Sequence, residues 1–111
     1  MVIKMNILRD LYEIASLRRK DRQEGSYTCY LFDSGLDKIL KKCGEECTET
    51  VIAAKNGDQD ALIGELSDLL YHLTVLMVQC GVSLEDLEQE HETRNAKTGN
   101  LKSFKMVDKN T

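Results

Sequence analysis

Proline is absent from this 111-residue chain and glycine occupies only seven positions, so little in it interrupts long helices. With Leu, Glu, Lys, Asp and Ala plentiful, that absence predicts an all-α fold. There is no basic surplus either: 15 Lys and Arg stand against 19 Asp and Glu, a net charge of -4, which argues against a nonspecific nucleic-acid binder. An anionic ligand would have to bring cations with it. No stretch reads as the roughly 20 apolar residues of a membrane span, and the segment from Met1 to Asp10 has no signal-peptide core. The expectation is a cytoplasmic protein with neither nucleic acid nor membrane as a partner. The four cysteines, Cys29, Cys43, Cys47 and Cys80, form no C-x-x-C pair and have no histidine at zinc-finger spacing. Cys43 and Cys47 share a helical stripe with Leu36, Leu40 and Val51, which reads as small apolar core residues rather than disulfide partners.

What the chain does have is helical periodicity. Ile7, Leu8, Leu11, Ile14 and Ala15 recur at helical spacing behind Asn6 as N-cap and predict a first helix to about Arg19. The charged stretch from Arg18 to Gly25 reads as an exposed connection, and Ser26 to Gly35 as either a short capped helix or an ordered loop. A longer helix is expected from Leu36 to Lys55, stopped by Asn56-Gly57-Asp58, and another from Asp60 to Cys80, ended by Gly81. Ser83-Leu84-Glu85-Asp86 resembles a capping box opening a final helix to about Arg94. These elements make residues 1–94 one all-α domain, a helical bundle of two long antiparallel helices and shorter ones. Residues 95–111 form a polar tail carrying Lys97, Lys102, Lys105 and Lys109.

So short a chain leaves much of its surface exposed, and an oligomer is expected on that ground alone. The Asp60–Cys80 segment strengthens the expectation. Leu69, Leu70, Tyr71, Leu73, Val75, Leu76, Met77 and Val78 leave it almost no polar side over two turns, and such a helix must be buried nearly all round. A second copy of the chain is the natural cover, making the core complete only in a homodimer or higher homo-oligomer.

Carboxylates at helical spacing carry the chemistry. Glu45, Glu46 and Glu49 fan over one side of the first long helix. Glu65 and Asp68, three apart on the second, share a face with His72 that borders a Leu66/Leu69/Leu73 core stripe. Antiparallel packing across the short Asn56–Asp60 connection brings the two acidic faces together. Clustered carboxylates resist ionisation beside one another, and a divalent cation resolves the conflict. Oxygen donors with little nitrogen or sulfur suit magnesium or manganese rather than zinc. Taken singly, E-x-x-E or E-x-x-D is more often a solvated face. The combination E-E-x-x-E, a gap across a glycine turn, then E-x-x-D beside the most apolar stretch is far more specific. A di-iron bundle would need E-x-x-H pairs, and this chain offers E-x-x-E and E-x-x-D instead.

That combination resembles the MazG-like all-α nucleotide pyrophosphohydrolases. Within them, Ser26-Tyr27-Thr28, Leu31, Gly35, Lys38-Ile39, Lys42, Gly44-Glu45-Glu46, Glu49, Glu65, Asp68-Leu69 and Tyr71-His72 resemble the phosphoribosyl-ATP pyrophosphatase branch. The likeness runs from about Ile7 to Gly99. Ser67, Cys47 and Thr48 depart from the usual pattern, as does the tail beyond Arg94. The resemblance implies magnesium-dependent hydrolysis of phosphoribosyl-ATP to phosphoribosyl-AMP and pyrophosphate, the second step of histidine biosynthesis. Glu45, Glu46, Glu49, Glu65 and Asp68 would hold the metal and form the catalytic group.

For the substrate, Lys38 and Lys42 lie one and two turns before the glutamates and suit phosphate oxygens, although i,i+4 ion pairs such as Lys42 with Glu46 are an equal alternative. Arg94 serves either phosphate or its own helix C-terminus. His72 fits a packed residue that hydrogen-bonds Asp68, and Ser26, Tyr27 and Thr28 either contact base and ribose or form a helix cap with a core tyrosine. Two other functions compete: a house-cleaning pyrophosphohydrolase acting on other nucleotides, and a non-enzymatic helical dimerisation module.

Overall fold

The computed structural model describes residues 6–97, and the tail lysines Lys102, Lys105 and Lys109 lie outside them. Five helices follow one another: α1 (Ile7–Lys20), α2 (Tyr27–Ser34), α3 (Leu36–Lys55), α4 (Gln59–Cys80) and α5 (Leu84–Asn95). Among the described residues there is no strand, and the fold is all-α. The caps explain the boundaries. Asn6 accepts from the Arg9 N–H, Ser26 from Cys29 and Asp58 from Ala61, each satisfying a backbone donor left over in a first helical turn. Ser83 and Asp86 form a reciprocal capping box at the start of α5. The Ser26–Gly35 segment is thus a capped helix, not a loop.

The turn between the long helices is closed by Gly57 at φ 69°, with Asp58 N–H donating back to Ala53 O, and Gly81 at φ 74° ends α4. Both positions need the left-handed conformation that glycine adopts without a Cβ penalty. This short turn folds α4 back along α3. Glu49 meets Glu65, while Glu46 lies near Asp68 and His72, so receding positions on α3 meet advancing positions on α4: the pairing is antiparallel. Helices α1 and α2 pack across this hairpin.

The core is small: Ala15, Leu31, Ile39, Cys43 and Val75, with Phe32, Tyr71, Leu76 and Val78 packed against it. On α3 the buried positions are Ile39, Cys43, Glu46 and Ala53, and a carboxylate therefore occupies a place in the core-facing stripe. Two expectations about the apolar stripes need correction. Leu66 and Leu73 are 42% and 38% exposed and Leu69 is half-buried, so that stripe is not this chain's core. Leu36, Leu40, Cys47 and Val51 on α3 are likewise exposed, and of the cysteines only Cys29 and Cys43 are buried. The physical reason is geometric. Helix α4 meets α3 through the His72 and Val75 side, which leaves Ile63, Leu66, Leu70 and Leu73 as a second, uncovered apolar row. A further correction concerns length: α4 has 22 residues with mean hydropathy 1.4 in its most apolar window, long and apolar enough by composition alone to cross a membrane. Glu65, Asp68 and His72 interrupt it.

Candidate metal centre

Helix α3 supplies Glu46 and Glu49 and helix α4 supplies Glu65, and one carboxylate oxygen from each lies within 4.8 Å of the others. Glu46 is the least ordinary of them, at 6% exposure. Its Oε1 is 4.0 Å from Lys42 Nζ, while its Oε2 is buried with no hydrogen-bond partner. Burial pushes this carboxyl above its usual range, Glu49 and Asp68 push it further, and His72 and Lys42 act against them. The Glu65 carboxyl is pushed up to about 7, first by its hydrogen bond with Glu49, then by burial and by the charges of Glu49, Glu46 and Asp68.

Asp68 adjoins this trio, since it raises both Glu46 and Glu65, but its side chain is exposed. Glu45 is exposed as well and faces Lys42 Nζ at 3.8 Å. The five predicted carboxylates therefore form a tight group of three with two at its margin. A cavity of about 240 Å³ opens beside Glu49 and Glu65, walled by Ala53 and Ala61. The donors are all carboxylate oxygen, and a buried carboxylate oxygen without a partner is a costly arrangement unless something pairs with it. These residues fit a hard divalent cation.

The remaining predicted residues divide between support and rim. His72 is buried, and its Nδ1–H donates to the backbone carbonyl of Asp68 at 2.8 Å rather than to the carboxylate. That fixes the neutral tautomer, leaving Nε2 to accept from the Tyr27 hydroxyl at 3.1 Å. Thr28 hydrogen-bonds the Tyr71 hydroxyl, so two side chains at the start of α2 lock onto adjacent residues of α4. Ser26 is the N-cap. Lys42 belongs to the centre through Glu45 and Glu46, whereas Lys38 lies 5.8 Å from the Tyr30 ring centroid. Arg94 pairs with Glu90 one turn back on α5. Tyr30 carried no predicted role, and Tyr71 entered only through the apolar run and the Tyr71-His72 resemblance. The available signal was Tyr27 and Tyr30 at i,i+3 on a short helix, with Tyr71-His72 interrupting an apolar run.

Fold and centre together define an all-α protein with a carboxylate cluster suited to hard cations between two antiparallel helices. Residues 8–95 match the family described as phosphoribosyl-ATP pyrophosphohydrolase. Curated relatives carry a matching name: the phosphoribosyl-ATP pyrophosphatase of Streptococcus sanguinis is 51% identical, with 92% of this chain and 98% of that protein covered. The protein of that name from Listeria innocua is 52% identical, covering 91% of this chain and 97% of the relative, and the one from Clostridium novyi is 48% identical, covering 88% and 89%. The chain belongs to the phosphoribosyl-ATP pyrophosphohydrolase family.

Proposed function

We propose that this chain hydrolyses phosphoribosyl-ATP to phosphoribosyl-AMP and pyrophosphate in the cytoplasm, as the second step of histidine biosynthesis. Magnesium, with manganese as a substitute, would be held by Glu46, Glu49 and Glu65 with Glu45 and Asp68 alongside. The observation that carries this reading is the convergence of three carboxylates, one of them the buried Glu46 with an unpartnered oxygen, in a member of this family. When bound, a divalent cation neutralises charge on the phosphate oxygens and acidifies the attacking water. The chain's own residues do the rest. Water oxygen bonds to phosphorus as the bridging P–O bond breaks, a neighbouring carboxylate takes the water proton, and pyrophosphate leaves with the electron pair. Lys42, already at the edge of the group, turns its ammonium to the phosphates, and Lys38 lies one turn behind it on α3. His72 and Tyr27 hold α4 and α2 in register behind Asp68.

The working unit in this proposal is a homodimer or higher homo-oligomer of residues 1–94. Ile63, Leu66, Leu70 and Leu73 on α4 and Leu36, Leu40 and Val51 on α3 form the rows that a second copy would cover. Neither nucleic acid nor membrane enters as a partner.

The test is pyrophosphate release from phosphoribosyl-ATP and from a panel of ordinary ribo- and deoxyribonucleoside triphosphates, with magnesium or with excess chelator. Phosphoribosyl-ATP is expected to be preferred by at least about tenfold in kcat/KM, with no release in chelator. Equal turnover of deoxynucleotides would instead assign a house-cleaning role, and full turnover in chelator would remove the metal from the account.

A further inference from the structure

We propose that the cavity beside the α1–α2 connection is the subsite that recognises the phosphoribosyl end of the substrate, with Arg22 binding its phosphate and Tyr27 and Tyr30 packing against the purine. The inference rests on the function proposed above. It adds a specificity element at a place that the carboxylate centre does not include.

Phosphoribosyl-ATP differs from ATP by a second ribose carrying a phosphate of its own. An enzyme that prefers it needs a cation well away from the one serving the triphosphate. The cavity has a volume of about 500 Å³, within the range of sites for small organic ligands, and Arg22, Glu24, Ser26, Tyr27, Tyr30 and Asp33 line it. Arg22 supplies the cation. Its Nη1–H donates to Asp33 Oδ1, but both side chains are largely exposed, and such a pair in water contributes little. A guanidinium carries five N–H donors in a planar fork that matches phosphate, so it has donors for a ligand beyond the one given to Asp33.

The aromatic wall supplies the second element. Tyr27 and Tyr30 are 45% and 49% exposed, and their rings lie 5.9 Å apart at an interplanar angle of 27°. Exposed, roughly parallel rings beside a cavity are suited to a flat heteroaromatic base. Position supplies the third. Tyr27 lines the cavity, yet its hydroxyl donates to His72 Nε2, and the His72 ring in turn donates to the Asp68 carbonyl. One side chain thus connects the aromatic wall to the acidic centre. A ligand with its triphosphate at Glu46, Glu49 and Glu65 can place its purine at Tyr27 and its far phosphate toward Arg22.

Steady-state kinetics with phosphoribosyl-ATP, using ATP as a competitive inhibitor, tests the assignment. Arg22→Gln should raise KM for phosphoribosyl-ATP about tenfold, the equivalent of one charge-assisted contact, while kcat and the inhibition constant of ATP stay within about twofold. Arg22→Lys should recover part of the loss. Tyr30→Ala should weaken both ligands, because both carry the purine. Unchanged KM in Arg22→Gln overturns the subsite, and so does a parallel loss for substrate and ATP, which would mark Arg22 as merely structural. A parent protein inactive on phosphoribosyl-ATP overturns the underlying function instead, a result visible before any variant is made.

Discussion

Glu49→Gln and Asp68→Asn are each expected to lower pyrophosphate release by about 10²- to 10³-fold, the scale on which removing one preorganised electrostatic group slows an enzyme. Glutamine keeps the size of Glu49 but loses the charge, and with it one of the three converging carboxylates. Asp68 acts on Glu46 and Glu65 together, so its loss weakens the group from the other helix. Neither substitution disturbs the packing, since both side chains are exposed. The far-ultraviolet circular dichroism of the variants should therefore match the parent. Glu45→Gln should cost less, because Glu45 sits at the margin, beside Lys42. A Glu49→Gln protein with half of the parent activity would mean that the converging carboxylates are not the reacting centre.

Leu66→Lys combined with Leu73→Lys is expected to convert the protein to monomer and remove most of its activity. These residues belong to a row that one chain leaves 36–57% exposed between Ile63 and Leu73. Burying a leucine side chain contributes about 2 kcal/mol relative to leaving it in water, so association through such rows is strongly favoured. An ammonium placed there must either be desolvated without a partner or keep the copies apart. Activity follows because Glu65 and Asp68 ride on the same helix as the uncovered row. Sedimentation at micromolar concentration reads the first effect directly. A parent protein that sediments as a fully active monomer would contradict the proposed assembly.

Helix positions were legible in the sequence because local chemistry decides them. Asn6, Ser83 and Gly81 perform the capping roles that their residue types favour, and the turn at Gly57 fixes the antiparallel hairpin. The carboxylates were legible for a related reason: spacing on two helices joined by a short turn determines which side chains meet. What spacing does not determine is which of several apolar rows the chain covers by itself. Helix α4 is apolar on more than one side, and its periodicity is equally consistent with Leu66/Leu69/Leu73 or the Val75 side facing inward. The choice depends on α1 and α2, whose core residues Ala15 and Leu31 share a buried cluster with Val75. The same limit hid the burial of Glu46, a carboxylate in a stripe otherwise built from Ile39, Cys43 and Ala53. It also hid the tyrosine contacts, which join α2 to α4 across more than 40 positions of sequence.

Thermal melting of the parent and Glu46→Gln tests most directly whether the carboxylate group is a site of mutual repulsion relieved by a divalent cation. Without metal, the parent holds a buried carboxylate beside Glu49 and Asp68, so neutral glutamine should melt higher. With millimolar magnesium, the parent should gain stability by binding the cation in its folded state, and the variant should gain much less, reversing the order. A Glu46→Gln protein that melts below the parent in chelator, or a parent whose melting ignores magnesium, would contradict the account.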